Sequence, residues 1–320
     1  MIAILIVFGA MLLDFMFGDP KSKYHPTAWV GTIISKLVPF ARTQNPTTEK
    51  LGGIAITLLV TGLVGFLLFS YEFFTKNLTD TILIILAIFV GAILLKTTIA
   101  IKGLEQHASL VMQSLSMNNL DEARDRLSML VKRNTKNLDQ NHVVSGVLET
   151  ISENIVDGVT GPLFYFGIFG LPGAFVYRTV NTIDSMVGYK NNLFSNIGWF
   201  GANCDKVLNY LPARITGYVM VLAAFAVGAD WKNSLRIMRS DGSKTSSPNA
   251  GIPMAAMAGA LQTRFEKIDH YSLGDGTAHL DYKHYKSAIL LMKTTCILFC
   301  MLVTLPLILI LNYLGWWIHV

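Results

Sequence analysis

Residues 53–74, 81–101 and 288–314 are each apolar for long enough to cross a lipid bilayer. About twenty such residues reach across the ~30 Å hydrocarbon core as an α-helix, and in lipid only a helix or a closed barrel satisfies its own backbone. Residues 2–17 are as apolar, with no basic segment before them and no small-residue cleavage site, so they read as a retained first helix rather than a removed signal peptide. With 52% of 320 residues hydrophobic and only 15% charged, the chain is too apolar for an ordinary soluble domain. The expected class is an all-α, polytopic integral membrane protein. It would form one membrane-embedded domain, 1–320, with about four firm transmembrane helices.

Two further apolar runs are shorter or interrupted. Residues 161–177 hold two prolines and four glycines. Residues 215–229 would make a helix of only roughly 22 Å, short of the bilayer core. Such segments are tolerated at membrane depth when protein or a water-filled cavity surrounds them, so both are read as broken or re-entrant pieces. Polar helical inserts are expected at 102–154 and 231–287. In the first, Leu120, Ala123, Leu127, Leu130 and Val131 recur at helical spacing, and a turn is expected near Asn134 to Asn137. Basic residues concentrate in these inserts and in the loop carrying Lys21, Lys23, Lys36, Arg42 and Lys50. The positive-inside rule then places the inserts and this loop in the cytoplasm and the N-terminus outside, in a multi-pass protein of the cytoplasmic membrane. The net charge of +5 is absorbed by such loops and does not point to nucleic acid. Cys204, Cys296 and Cys300 have neither zinc-site spacing nor the pattern of a disulfide scaffold.

Chemistry concentrates between Glu149 and Arg214. Glu149, Glu153 and Asp157 are spaced i, i+4, i+8, which on a helix makes one carboxylate stripe. Like charges so placed repel by roughly a few tenths of a kcal/mol per pair, unless Mg²⁺ or a basic side chain lies between them. A solvated helix face is the competing reading. Arg178, Asn181, Asp184 and Ser185 share another helix face, followed by Tyr189, Lys190 and Asn191, then Asp205, Asn209 and Arg214. Acids, amides and bases alternating at membrane depth suit a metal-bridged, polyanionic substrate. Asp14 ends the first span and is expected to face protein or water, with Asp19 and His25 just beyond. In Ser247-Pro248-Asn249-Ala250-Gly251, a turn whose N–H groups converge into an anion nest is expected, followed by a small-residue helix from Met254 to Leu261.

Five ordered motifs carry a family resemblance: Asp14-x3-Gly18-Asp19-Pro20 with His25-Pro26; Ser152-Glu153-Asn154-x2-Asp157-Gly158-x3-Pro162-Leu163-Phe164-Tyr165; Val180-Asn181-Thr182-x-Asp184-Ser185-Met186-x-Gly188-Tyr189; Pro212-Ala213-Arg214; and Ser247-Pro248-Asn249-Ala250-Gly251. Together they span nearly the whole chain, which resembles the adenosylcobinamide-phosphate synthase (CbiB/CobD) family of cobalamin biosynthesis. The chain departs from the family pattern at Lys244-Thr245-Ser246, at Met254 and in the segment after Leu261, which bears on the choice of amine.

The resemblance implies a ligase that joins aminopropanol or its phosphate to a carboxylate of adenosylcobyric acid, using ATP and Mg²⁺, and suggests a complex with other cobalamin-assembly enzymes. On that footing Glu153, Asp157 and Asp184 are candidates for Mg²⁺ or proton work, with Asn181 beside them in the catalytic set. Arg178, Lys190 and Arg214 would meet phosphate charge, with Ser247, Asn249, Gly251, Asp14, Asp19 and His25 as further substrate contacts. No Walker A, GxGxxG or HExxH pattern is present. A corrinoid-binding membrane sensor and a secondary transporter are the alternatives; the chain shows no internal repeat, and its polar inserts are long for a transporter.

Overall fold

The computed structural model describes residues 2–19, 22–131, 133–189 and 193–316. Helices α1 (Ile2–Phe17), α2 (Pro26–Ala41), α3 (Pro46–Lys76) and α4 (Thr81–Lys96) lead into α5 (Ile101–Ser116), α6 (Leu120–Ser128) and α7 (Gln140–Ile155). A π-helical turn, Val156–Thr160, joins α7 to α8 (Gly161–Val187). After α9 (Trp199–Ala226), α10 (Trp231–Asp241) and α11 (Pro248–Ala260) comes an antiparallel hairpin of β1 (Phe265–Lys267) and β2 (Tyr271–Leu273). Helix α12 (Tyr282–Phe299) passes through a second π-helical turn, Cys300–Thr304, into α13 (Leu305–Tyr313).

Local chemistry marks the helix starts. Asn45 accepts the Thr47 N–H at 2.9 Å with Pro46 in the first helical position of α3, and Asp80 accepts the Ile82 and Leu83 N–H groups to open α4. Asp139 caps α7 through the His142 N–H, and Asp281 with His284 closes a reciprocal capping box on α12. Each such cap contributes about 1 kcal/mol.

Five helical stretches are long and apolar enough to cross a membrane: Pro46–Lys76, Thr81–Ser116, Gln140–Val187, Trp199–Ala226 and Tyr282–Tyr313. The protein is a multi-pass, all-α membrane protein, with the small hairpin as its one departure among the described residues. Several expectations change in detail. Ile2–Phe17, expected to span, is a 16-residue apolar helix, about 24 Å long. Residues 215–229 are no separate short piece; through Ala226 they form the second half of a 28-residue helix. Residues 161–177 do break, as expected, at Gly170, where φ is 63° and ψ −151°. The basic loop after the first helix is mostly helical, as α2 and the start of α3. In α9 hydropathy stops short because polar residues such as Asn209 are covered by protein instead of lipid.

The chain divides into two compact units. The first is Met1–Ala100, Gly161–Asn209 and Leu302–Val320; the second is Ile101–Thr160 and Tyr210–Met301. In the first unit α8 packs against α2, α3, α4 and α13, and α1 packs on α4. A small core of Val30, Ile34, Val60, Ile183 and Val187 ties α2 and α3 to α8. In the second unit α7 is central, touching α5, α6, α11, α12 and β1. Every α7 residue from Val143 to Ser152 is buried, so this part of the first polar insert is a core helix. The expected turn is present, with Asn134 Oδ1 accepting the Lys136 N–H at 3.0 Å.

Candidate functional site

In the second unit the site is built where α7 ends and α11 begins. Ser145 Oγ receives the Glu266 N–H at 2.8 Å, and Ser152 Oγ meets Met257 Sδ at 3.1 Å. Earlier residues of α7 thus lie beside later residues of the 248–266 segment. The two run antiparallel, and the end of α7 that carries Glu153 and Asp157 lies toward the N-terminus of α11. Thr160 and Thr216 hydroxyls share a hydrogen bond of 2.7 Å, which fixes the π-helical turn against α9 two residues beyond Arg214. Glu153, Asp157, Arg214, Ser247 and Asn249 therefore belong to one end of this unit.

Arg214 is the cation of this constellation. Its Nη1 donates to Asn249 Oδ1 at 2.9 Å and to the Tyr210 carbonyl at 2.8 Å, and its guanidinium stacks over the Tyr210 ring, 3.5 Å from the centroid. Among the described residues no carboxylate pairs with it. The side chain is thus aimed but keeps its charge, beside the positive end of the α11 dipole. Ser247 is the N-cap of α11 with no hydrogen bond from its side chain to the helix, and Pro248 fills the first helical position.

The expected nest is not formed. Asn249 and Gly251 have helical backbone, so the motif is the first turn of α11, and the small-residue helix starts at Pro248, not Met254. Gly251 is buried, and a Cβ there would strike the Gly242 carbonyl and Thr245 Oγ1. It permits close packing, and a substrate contact is not its geometry. Lys244, one of the departures from the family pattern, is paired with Asp241 at 2.7 Å.

The carboxylate stripe is split by environment. Glu149 is buried and held by Arg133 at 3.1 Å, Ser145 Oγ at 2.8 Å and Tyr271 O–H at 2.7 Å. Burial, then the Glu149 charge, pushes the Tyr271 phenol far above its ordinary range, so it stays a neutral donor. Glu153 is exposed and Asp157 half-buried in the π-helical turn, whose extra residue per turn shifts Asp157 off a regular i+8 stripe. An arginine offsets the repulsion at Glu149 and sets it apart from the other two carboxylates.

The first unit holds two more of the expected groups. A polar chain crosses from α8 to α9: Arg178 Nη1 donates to Asn181 Oδ1 at 3.2 Å, Asn181 Nδ2 to Asp205 Oδ1 at 3.3 Å, and Asn209 Nδ2 to Asp205 Oδ2 at 3.0 Å. Tyr177 O–H donates to Asn209 Oδ1 at 2.5 Å and stacks on Tyr165. Asp184 lies one turn beyond Asn181, half-buried, its carboxylate against Gly188. Lys190 lies outside the described residues, as do Pro20 and Asn191.

The second group joins Asp14, Asp19 and His25 through Lys96, which the sequence reading missed. Lys96 Nζ is 3.0 Å from Asp19 and 3.8 Å from Asp14; His25 Nε2 is 3.9 Å from Asp19. Burial by itself raises the Asp19 pKa, but the His25 and Lys96 contacts outweigh it, leaving Asp19 below its ordinary value. Asp14 is 0% exposed, so it faces protein, as expected, and has no surface open to a ligand. Lys96 is the last-turn base of an apolar helix, a position where a lysine usually reaches for solvent, so nothing in the sequence marked it as a partner.

Among the described residues no group of three or more His, Cys, Asp or Glu side chains is gathered so as to hold a metal ion by itself. Mg²⁺ does not need one: it is commonly held by one or two carboxylates together with substrate phosphates.

Residues 7–309 match the family described as CobD/Cbib protein. The chain belongs to the CobD/CbiB family. It is 40% identical over 291 residues to the probable cobalamin biosynthesis protein CobD of Methanothermobacter thermautotrophicus, covering 91% of this chain and 93% of that one. It is 39% identical over 264 residues to the cobalamin biosynthesis protein CobD of Leptospira interrogans, covering 82% of each. With the CobD of Dehalococcoides mccartyi it shares 38% identity over 272 residues, 85% of this chain and 87% of the relative. No solved structure matches the chain.

Proposed function

We propose that this CobD/CbiB protein acts in cobalamin biosynthesis as an amide-forming ligase, joining aminopropanol or its phosphate to a carboxylate of adenosylcobyric acid at the expense of ATP. A carboxylate and an ammonium do not condense in neutral water, because one is a poor electrophile and the other no nucleophile. Activation by a phosphoryl group needs a site that receives phosphate charge. The observation that supports this most directly is Arg214, braced by Tyr210 and Asn249 at the start of α11 with no carboxylate partner among the described residues. It sits in the same end of the second unit as the carboxylates Glu153 and Asp157.

In this reading Arg214 and the first turn of α11 take phosphate oxygens, Asn249 orients the guanidinium, and Ser247 Oγ is a further donor. Glu153 and Asp157 fit a divalent cation of the Mg²⁺ type as a pair of oxygen donors, and Mg²⁺ would neutralise phosphate charge there. As the family resemblance implies, Asp184 and Asn181 are proposed for proton work and Arg178 and Lys190 for phosphate charge. The reading places the site on the cytoplasmic side, where ATP is available.

Purified protein is incubated with adenosylcobyric acid, ATP, Mg²⁺ and candidate amines, and the corrinoid is weighed by mass spectrometry. A mass gain equal to amine minus water is expected. Folded protein that gives no gain with any amine would overturn the proposal, and corrinoid binding without ATP consumption would favour a sensor.

A further inference from the structure

Gly170 does more than interrupt α8: the backbone turns back on itself there. Tyr165 and Tyr177 stack with ring centroids 5.3 Å apart, whereas twelve residues of continuous helix would separate them by roughly 18 Å. A Cβ on Gly161 would fall on the Tyr177 ring, and one on Gly173 would strike the Tyr165 carbonyl. Residues 161–169 are therefore a first arm folded back on a second, 171–187, all within the first unit. Gly161 and Gly173 let the arms approach, and the positive φ of Gly170 makes the turn.

The first arm covers polar groups. Its Tyr165 ring lies on Tyr177, and the Tyr165 O–H donates to the Leu208 carbonyl at 2.9 Å. Tyr177 opens the polar chain that runs through Asn209, Asp205 and Asn181 to Arg178, and Tyr177, Asn209 and Asn181 are all buried. This polar chain lies in two candidate membrane spans, where such groups need protein or a water-filled cavity around them. Here the arm supplies the protein.

The tip is held from two directions, each time by a side chain. The Leu171 N–H goes to Glu72 Oε1 of α3 at 2.7 Å, and the Ile168 carbonyl accepts the Trp316 indole N–H at 2.8 Å. Trp316 follows the end of α13 and also rests on Phe169, with ring centroids 6.2 Å apart. Phe169 is exposed, which puts the tip at the surface of the unit. Glu72 Oε2 is buried with no hydrogen-bond partner among the described residues, so this contact is only partly satisfied. Two side-chain hydrogen bonds can be exchanged for water without unwinding either arm.

We propose that residues 161–169 are a lid. With its tip latched by Glu72 and Trp316, the arm seals the polar chain from water. With the latch released, the arm swings off Tyr177 and admits water and small polar solutes to Asn209, Asp205, Asn181 and Arg178. A glycine at each end, Gly161 and Gly170, absorbs the change in backbone angle. The lid stands or falls independently of the ligase reading, because its readout is access and not turnover.

The test uses the full chain in nanodiscs, with Cys204, Cys296 and Cys300 replaced by serine. One reporter, Asn209→Cys, places a thiol under the lid, and its own effect cancels because it is present in every chain compared. A second, Ala92→Cys, reports on the buried contact of α4 with Gly9 elsewhere in the same unit. The rate of modification by a small charged methanethiosulfonate is measured with the latch intact and in two latch variants. Trp316→Phe keeps an aromatic ring but removes the N–H, and Glu72→Met removes the acceptor. Each should raise the rate at position 209 at least about threefold, the effect of losing one hydrogen bond, with the rate at position 92 unchanged. Equal rates at position 209 in all chains overturn the lid. So does a parallel rise at position 92, which marks general loosening of the unit. Should Glu72→Met not fold, Trp316→Phe, altered near the end of the chain, carries the test by itself.

Discussion

The charged residues of this protein sort by whether a neighbour has already neutralised them. Arg133 and Glu149 neutralise each other inside the second unit, so Arg133→Met, which strands a buried carboxylate, should cost about 3–5 kcal/mol of stability. Thermal unfolding in detergent checks this. Arg214 has its aim fixed and its charge open, so the opposite pattern is expected. Arg214→Met should leave unfolding little changed and lower corrinoid product formation by about 30- to 150-fold, the equivalent of ~2–3 kcal/mol for one lost charged hydrogen bond. Arg214→Lys keeps the charge without the planar stack and should recover part of the rate. Asp184→Asn should abolish product while the protein stays folded; near-normal turnover would remove Asp184 from the site. The sequence named Glu149, Glu153 and Asp157 as one stripe, but not the arginine sixteen residues upstream that separates the first from the others. A loop side chain reaching back to a helix leaves no periodic trace.

Among the elements, α7 was hardest to read. Its buried face carries Ser145, Gly146, Thr150 and Ser152, small polar residues that satisfy themselves on helix carbonyls or neighbours and allow close packing. In hydropathy they look like surface. The hairpin β1–β2 was equally hidden, because three-residue strands have no length over which alternation can show. Asp241 secures it: its carboxylate accepts the Gly274 N–H at 2.8 Å, besides Ser240 and Lys244. Burial raises the Asp241 pKa, but Lys244, the Gly274 N–H and Ser240 outweigh it, so the folded value lies below the ordinary 3.8. Its stabilising contribution is then complete above that ordinary value and disappears as pH falls through the lower, folded one. Asp241→Asn should flatten this acid limb of the stability profile, measured by unfolding between neutral pH and pH 3. In the first unit, Gly170→Ala should destabilise, since φ 63° suits glycine and a Cβ would meet the Glu72 carboxylate.

For the molecule as a whole, long apolar helices were legible because lipid demands contiguous hydrophobicity, whereas their true lengths were not, because protein can cover polar stretches too. The cytoplasmic side expected from the charge pattern for the polar segments is open to measurement. In a background with Cys204, Cys296 and Cys300 replaced by serine, single cysteines at the exposed positions Asn118 and Ser243 should both react with an impermeant maleimide from the cytoplasmic side. Labelling of the two from opposite sides would break the proposed common site. The break in α8 bears on how the chain is made. The Leu171 N–H, freed at Gly170, is accepted by Glu72 at 2.7 Å, a partner translated ninety-nine residues earlier. At roughly 5–20 residues per second, that acid emerges from the ribosome some seconds to tens of seconds before the amide it serves. Until then the Glu72 carboxyl lacks this donor, so the contact that closes the break in α8 forms only after both helices have been made.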